Sequence, residues 1–356
     1  MRELKITGKT GNSKILLGES LSELATYCQP SVIITDKNVK AAHGSHFPKV
    51  NIIEIGIGES AKTLETVKEI YEKMLELGLD RASFVVGIGG GIVCDVAGFA
   101  ASTYMRGLHF GFVPTTLLSQ VDASVGGKNG VNLHRYKNLV GTFNQPEFVL
   151  CDFELLKTLP EREIVNGMAE VVKHAAIGEE KLFTYLETQY AEEMALKRTA
   201  IEKAVYDSLV VKTRIVAADE KEKGERRKLN FGHTLGHAIE KATAFERLEP
   251  QFKQIENVSE VPHGKAVSIG MVAAARLSVA KGMLQKKDAE RIEELLKRIG
   301  LPTKTELDKK EILDAIRKDK KRTGEKINFI LLEGIGKAKI VEIELRELEG
   351  ILHDLC

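Results

Sequence analysis

The sequence predicts an α/β protein, with a parallel, mostly buried sheet in its N-terminal part and a mostly α-helical C-terminal part. Three observations carry this. Short β-branched runs alternate with helical periodicities up to about residue 160. One run, Phe84-Val85-Val86, opens on a glycine-rich turn, Gly87-Ile88-Gly89-Gly90-Gly91, that leads into a helix of small residues. Beyond Leu159-Pro160 the strand runs give way to long helical periodicities.

In chain order, residues 1–30 read as short strands and a first helix. Ser31-Val32-Ile33-Ile34-Thr35 is a compact strand ending at Asp36, with Asn38 close behind. Polar residues at the carboxyl end of a parallel strand face the ligand crevice of such a sheet. Ile52 to Ile55 is a second strand. A helix follows from Lys62 to about Leu77, with Leu64, Val67, Ile70, Tyr71, Met74 and Leu75 on one stripe. Later helices are expected at Glu161–Ile177, Glu179–Leu186, Met194–Ala218, Phe231–Ala244, Ala266–Lys281, Lys287–Ile299 and Lys309–Asp319. Ile327–Leu332 and Lys339–Ile343 read as a closing strand pair flanking Gly334 and Gly336. The charged run Glu220–Lys228 reads as a solvated helix face or a substrate loop, and its composition favours the face. At 356 residues the chain exceeds one typical core, so two domains are expected, 1–160 and 161–356.

A net charge of +1 provides no global field for nucleic acid or a membrane surface. No run of about 18 uncharged apolar residues is present, and the N-terminus lacks an apolar signal core. Cys28, Cys94, Cys151 and Cys356 have no metal or disulfide spacing, which fits a reducing compartment. A cytoplasmic protein that binds neither nucleic acid nor membrane is the expectation.

The glycine-rich turn can cradle an anion, because glycines let backbone N–H groups approach and a helix N-terminus adds positive potential. The usual dinucleotide fingerprint fails, since its third glycine falls at Ile92. Asn230-Phe231-Gly232-His233-Thr234-Leu235-Gly236-His237 places two histidines one helical turn apart. They read as a two-histidine metal site or as a hydrogen-bonded or surface pair. His263, in Val261-Pro262-His263-Gly264, and Glu170, one turn before Lys173 and His174, would complete a glutamate and two-histidine zinc centre with an open position. Arg106, Lys128 and Lys137-Asn138 lie beside turn-forming glycines or in a glycine-rich segment, where several cations together grip a phosphate or carboxylate. Gly127-Lys128 is no Walker loop: Asn129 replaces the hydroxyl residue, and Asp122 stands where a glycine is required.

Taken together, the segments GGGIVCDVAGFAASTYMRG, VPTTLLSQVDASVGGKNGVN, KNLVG, LPEREIVNGMAEVVKH, ADEKEKGERRKLNFGHTLGHAIE, HGKAVSIGM and DKK resemble the 3-dehydroquinate synthase family of the sugar phosphate cyclase superfamily. The likeness covers nearly the whole chain, in the family's order and spacing. It implies an N-terminal Rossmann-like domain that binds NAD and a helical C-terminal domain that carries zinc, with cobalt also suited. The zinc ligands it implies are Glu170, His233 and His263, and His237 becomes a substrate-phosphate contact. NAD contacts fall at Asp36, Asn38, Glu59, Lys62, Gly90, Gly91, Ile92, Asp95, Thr115, Thr116, Lys137 and Thr158. Substrate contacts and catalytic groups fall at Asp122, Lys128, Asn138, Lys212, Glu222, Arg226, Asn230, His237 and Lys320. Arg106 matches an arginine that reaches the phosphate from the partner subunit of a homodimer.

The implied reaction turns 3-deoxy-D-arabino-heptulosonate 7-phosphate into 3-dehydroquinate and phosphate, with hydride lent to NAD and returned. Another sugar phosphate cyclase, a metal-dependent polyol dehydrogenase that releases NADH, and a catalytically dead NAD- or metal-binding regulator are the alternatives. Local departures from the family pattern are Lys265 after His263-Gly264, Cys94 in place of a common glycine, Tyr136 before Lys137, and the long segment FERLEPQFKQIENVSEV.

Overall fold

The computed structural model describes residues 2–134, 136–246, 261–317, 322–323, 326–353 and 355. Lys320 and most of the long segment before His263 lie outside them. The chain divides into two compact units: Met1–Ile164 with Leu196–Lys221, and Val165–Ala195 with Glu222–Cys356.

The first unit holds nine strands: β1 (Arg2–Gly8), β2 (Gly11–Leu17), β3 (Val32–Asp36), β4 (Asn51–Ile55), β5 (Phe84–Gly89), β6 (His109–Pro114), β7 (Lys128–Leu133), β8 (Tyr136–Phe143) and β9 (Phe148–Cys151). Seven form one sheet in the order β1-β2-β9-β6-β5-β3-β4. It is parallel from β2 to β4, while β1 is antiparallel at one edge. Only Lys9 and Thr10 separate β1 from β2, and so short a link returns the chain antiparallel. Central strands are buried on both faces, which is why Val85, Val86 and Ile88 run almost without a polar break.

The helix Leu64–Glu76 is capped by Thr63, whose hydroxyl accepts from the Thr66 N–H. Its buried stripe is narrower than the apolar periodicity implies: Val67, Ile70 and Met74 are buried, whereas Leu64 and Leu75 are exposed. The glycine-rich segment after Asp122, read from sequence only as cationic residues between turns, is the β7–β8 hairpin, a separate two-stranded sheet. Helix Arg198–Ala218 packs on β1: Arg2 lies 4.6 Å over the Tyr206 ring and 3.7 Å from Glu202.

In the second unit, His233–Glu246 and His263–Ala280 pack against each other. Lys309–Arg317 packs on the former and Lys286–Ile299 on the latter. Gly300, left-handed at φ 88°, ends helix Lys286–Ile299, with Ile292, Leu295, Leu296 and Ile299 buried. Strands β10 (Arg322–Thr323), β11 (Lys326–Gly334) and β12 (Lys337–Glu344) form an antiparallel sheet that packs on helix His263–Ala280.

The charged run is not a long helix face: Lys221, Lys223, Glu225 and Arg227 are exposed, but Glu220 and Glu222 are half-buried and Arg226 is buried. Residues 219–224 are non-helical and Glu225–Asn230 is a 3-10 helix. The Glu220 carboxylate is held by the Lys9 N–H at 2.9 Å, the Thr10 hydroxyl and the Gln145 amide. Those hydrogen bonds outweigh burial and hold Glu220 below the usual carboxylate range. A local charge count could not register these partners, which come from more than 70 residues away.

Candidate active site

In the first unit, the polar ends of the strands carry the residues expected to meet a nucleotide. Asp36 closes β3 and caps helix Lys37–His43, one oxygen accepting from the Asn38 N–H at 2.8 Å and the Val39 N–H at 3.0 Å. Gly90 caps helix Gly91–Thr103, in which Ile92 and Asp95 occupy the first turns. Neither Gly90 nor Gly91 has positive φ, so they serve close packing rather than a left-handed turn: a Cβ on Gly91 would meet that of Ala123 at 3.0 Å. Lys62, itself buried, reaches the half-buried Asp95 at 2.5 Å. Burial pushes Asp95 up and the ammonium of Lys62 pulls against it. The Thr115 hydroxyl is buried with no hydrogen-bond partner among the described residues. Thr116 accepts from the Ser119 N–H. The Thr158 hydroxyl donates to the Leu155 carbonyl and pairs with His43 Nε2 at 2.9 Å.

The same unit brings Lys212 to Asp122. Lys212 is 4% exposed, and its Nζ donates to Asp122 Oδ1 at 2.5 Å and to the Asp122 carbonyl. Lys128, Lys137 and Arg106 are exposed. Arg106 sits at φ 70° beside Met105 at φ 49° and Gly107 at φ 121°, three consecutive left-handed residues in a tight turn.

The second unit builds a metal-type centre. Glu170 comes from the middle of helix Glu161–Gly178, while His233 and His263 each begin a helix. His233 Nε2 lies 3.6 Å and His263 Nε2 3.4 Å from Glu170 Oε1, and the three ligand atoms fall within 4.8 Å of one another. Glu170 is fully buried and paired with Lys173.

Each imidazole is oriented by its other nitrogen. His233 Nδ1 donates to the Phe231 carbonyl at 3.1 Å, and His263 Nδ1 donates to Glu240 Oε1 at 3.2 Å. Both Nε2 lone pairs are thereby directed at the Glu170 carboxylate, so the donor set fits a divalent ion such as zinc or cobalt. Burial holds His233 neutral, well below the usual imidazole range, with Glu170 pulling the other way. For His263 burial also pulls down, yet Glu170 and Glu240 prevail and push it up to about 10 when no ion is present. His237 stands beside this centre, its ring 5.3 Å from that of His233 and 6.4 Å from that of His263. It is not among the three grouped ligands.

Two glycines let the helices come this close. Gly270, two turns into the His263 helix, faces the carbonyl of Gly232, and a Cβ there would lie 1.9 Å from that oxygen. Gly264 donates its N–H to Asn166 on the Glu170 helix, and a Cβ there would lie 2.2 Å from the Asn166 carbonyl. Gly270→Ala is therefore expected to push the start of the His233 helix off the His263 helix. We expect a loss of about 1–3 kcal/mol of stability, read by thermal melting, with weaker zinc binding read by chelator competition.

Nearby, the Asn230 amide donates to Glu222 Oε1 at 2.6 Å, with Glu222 left-handed at φ 56°. Arg226 is 2% exposed. Sequence reading missed Glu240, Asn166 and the glycine contacts. A faint signal existed for Glu240, which stands seven residues after His233 and three after His237, on the same helical face.

Solved structures of the same build include sugar phosphate cyclases. The chain superposes on 2-epi-5-epi-valiolone synthase from Streptomyces hygroscopicus, solved with NAD+ and Zn2+ bound, with a TM-score of 0.84 and 26% identity over 100% of this chain and 99% of that one. A 2-deoxy-scyllo-inosose synthase complexed with carbaglucose-6-phosphate, NAD+ and Co2+ gives 0.83 and 26%, with both chains fully covered. In fold, and in a donor set suited to zinc or cobalt, the chain is similar to these sugar phosphate cyclases.

Residues 52–166 match the family model for the 3-dehydroquinate synthase N-terminal region, and residues 167–322 that for the C-terminal region. The 3-dehydroquinate synthase of Thermoanaerobacter pseudethanolicus is 43% identical over 332 residues, 90% of this chain and 89% of that protein. The chain belongs to the 3-dehydroquinate synthase family. Among the described residues no helix is long and apolar enough to cross a membrane.

Proposed function

We propose that this enzyme converts 3-deoxy-D-arabino-heptulosonate 7-phosphate into 3-dehydroquinate and phosphate, with NAD recycled in each turnover and one divalent ion held by Glu170, His233 and His263. The observation that carries this reading is the buried carboxylate with two imidazoles whose Nε2 atoms both face it, in a chain of this family. A divalent ion bound there supplies Lewis acidity toward the substrate's hydroxyl groups. NAD held at the first unit's strand ends would supply hydride-accepting and, once reduced, hydride-donating chemistry.

The chain's own groups do the rest. Glu240 and the Phe231 carbonyl keep the protons of both imidazoles on Nδ1. Asp36, Asn38, Glu59, Lys62, Gly90, Gly91, Ile92, Asp95, Thr115, Thr116, Lys137 and Thr158 form the NAD site in this reading. Lys212, steadied by Asp122, and Arg226 bind the substrate carboxylate. Glu222 orients Asn230 toward the same ligand. Lys128, Asn138, His237 and Lys320, with the partner subunit's Arg106, bind the phosphate, so the working form is a homodimer. The departing phosphate takes the neighbouring proton as it leaves, and no dedicated side-chain base is needed. Retention of Arg106, Lys212, Arg226, Asn230, His237 and Lys320 favours the carboxylated substrate over those of sister cyclases.

Stoichiometric phosphate release from the heptulosonate phosphate is expected, lost with chelator and restored by zinc or cobalt, with no steady rise in NADH absorbance. A rise of NADH in step with product would instead identify a dehydrogenase.

A further inference from the structure

The β7–β8 hairpin is irregular where its sequence is richest in polar groups. Its ladder pairs Val131 with Val140 and Leu133 with Tyr136. Asn132 alone therefore stands opposite Lys137, Asn138 and Leu139, which form an irregular bulge within β8. Bulges of this kind re-aim side chains next to functional sites.

Asn132 ties that bulge to a second segment. Its Oδ1 accepts from the backbone N–H of Asn138 at 2.8 Å, supporting Asn138 in the left-handed conformation at φ 52°. Its Nδ2 donates to Glu59 Oε1 at 2.7 Å. Its backbone N–H donates to the Lys62 carbonyl at 2.8 Å. The amide orientation is unambiguous, because a carboxylate only accepts here and a backbone N–H only donates. Asn132 thus joins Glu59 through its side chain and Lys62, whose ammonium meets Asp95, through its backbone N–H to the bulge that carries Lys137 and Asn138.

We propose that Asn132 is a positioning residue that braces both the nucleotide-binding turn at Glu59–Lys62 and the substrate-binding bulge at Lys137–Asn138, its Nδ2 serving the first and its Oδ1 the second. The proposal rests on the function given above, in which Glu59 and Lys62 meet NAD and Asn138 meets the substrate phosphate. Asn132 touches neither ligand and acts through these neighbours.

Two substitutions separate the two ends of the bridge. Asn132→Ala removes both side-chain bonds. Asn132→Asp keeps the acceptor for the Asn138 N–H but replaces the donor to Glu59 with a like charge. The measurements are NAD+ affinity by calorimetry on the zinc-loaded enzyme and steady-state KM for the heptulosonate phosphate, with thermal melting as the check on folding. For Asn132→Ala, NAD+ affinity and substrate KM should each worsen about tenfold. For Asn132→Asp, NAD+ affinity should fall about tenfold while substrate KM shifts by less than about threefold.

A merely structural role would move both quantities together, in proportion to lost melting temperature. Equal shifts in the aspartate variant, or unchanged NAD+ affinity in both variants, would overturn the two-ended bracing while the wild type still binds NAD+ and releases phosphate. An unmutated enzyme that binds no NAD+ would instead overturn the functional reading, and the bracing role with it. Should the alanine variant fail to fold, the near-isosteric aspartate variant carries the test alone.

Discussion

His263→Ala is expected to yield a folded protein that holds less than a tenth of the wild-type zinc and turns over about a thousandfold more slowly. The side chain supplies one of three ligand atoms grouped within 4.8 Å, and Glu170 and His233 alone leave a two-ligand site. A Lewis acid contributes several kcal/mol, and losing about 4 kcal/mol is roughly a thousandfold in rate. His263 lies at the start of its helix with its side chain partly exposed, so truncation opens no core cavity. Metal content by emission spectroscopy, circular dichroism and turnover together decide the matter; full zinc with full turnover would reject the ligand assignment.

The same variant has a pH signature in the ion-free protein. His263 is raised to about 10 in the fold against about 6.5 when unfolded. Its contribution to stability is therefore complete below about pH 6.5 and disappears as pH rises toward 10. His233 has the opposite sign: its depressed value costs stability once pH falls below about 6.5. Melting curves of ion-free wild type should decline on the alkaline side, and those of His263→Ala should not.

Lys212→Met is expected to lower kcat/KM by about 2–5 kcal/mol, roughly 30- to 5,000-fold. The ammonium is nearly buried and holds both the carboxylate and the carbonyl of Asp122. In the proposed reaction it also meets the substrate carboxylate. Removing it leaves two negative groups without their shared cation, one of them the half-buried Asp122 carboxylate, and a partly desolvated charge that loses its partner is costly. Pairing the change with Asp122→Asn separates the two effects. The double variant should regain most of the lost melting temperature, since the stranded charge is gone, while kcat/KM stays low. Recovery of activity in the double variant would show that Lys212 serves the fold alone.

Much of this was legible in the linear pattern. Apolar runs such as Val32–Thr35 and Phe84–Val86 and the 3.6-residue stripes after residue 160 are local signals, and local signals report local structure. The order of glycine, cation and histidine motifs likewise pointed to one family, and the residue types of the metal-type centre stood out through their chemistry. Periodicity overreached where exposure had to be known: Leu64 and Leu75 fit the stripe but face solvent. Charge density misled at Glu220, whose partners on β1–β2 and at Gln145 are far away in sequence.

The sequence by itself determined which elements form, which chemical groups are available and which family the chain resembles, because each depends on neighbours in the chain or on residue identity. Only the tertiary structure decided that Arg198–Ala218 packs on β1, that Gly270 lies under the Gly232 carbonyl, that Glu240 orients His263, and that Asn132 faces a three-residue bulge. Those outcomes depend on register and close approach between distant segments, where a shift of one residue or one methyl group changes every contact and no local pattern records the choice.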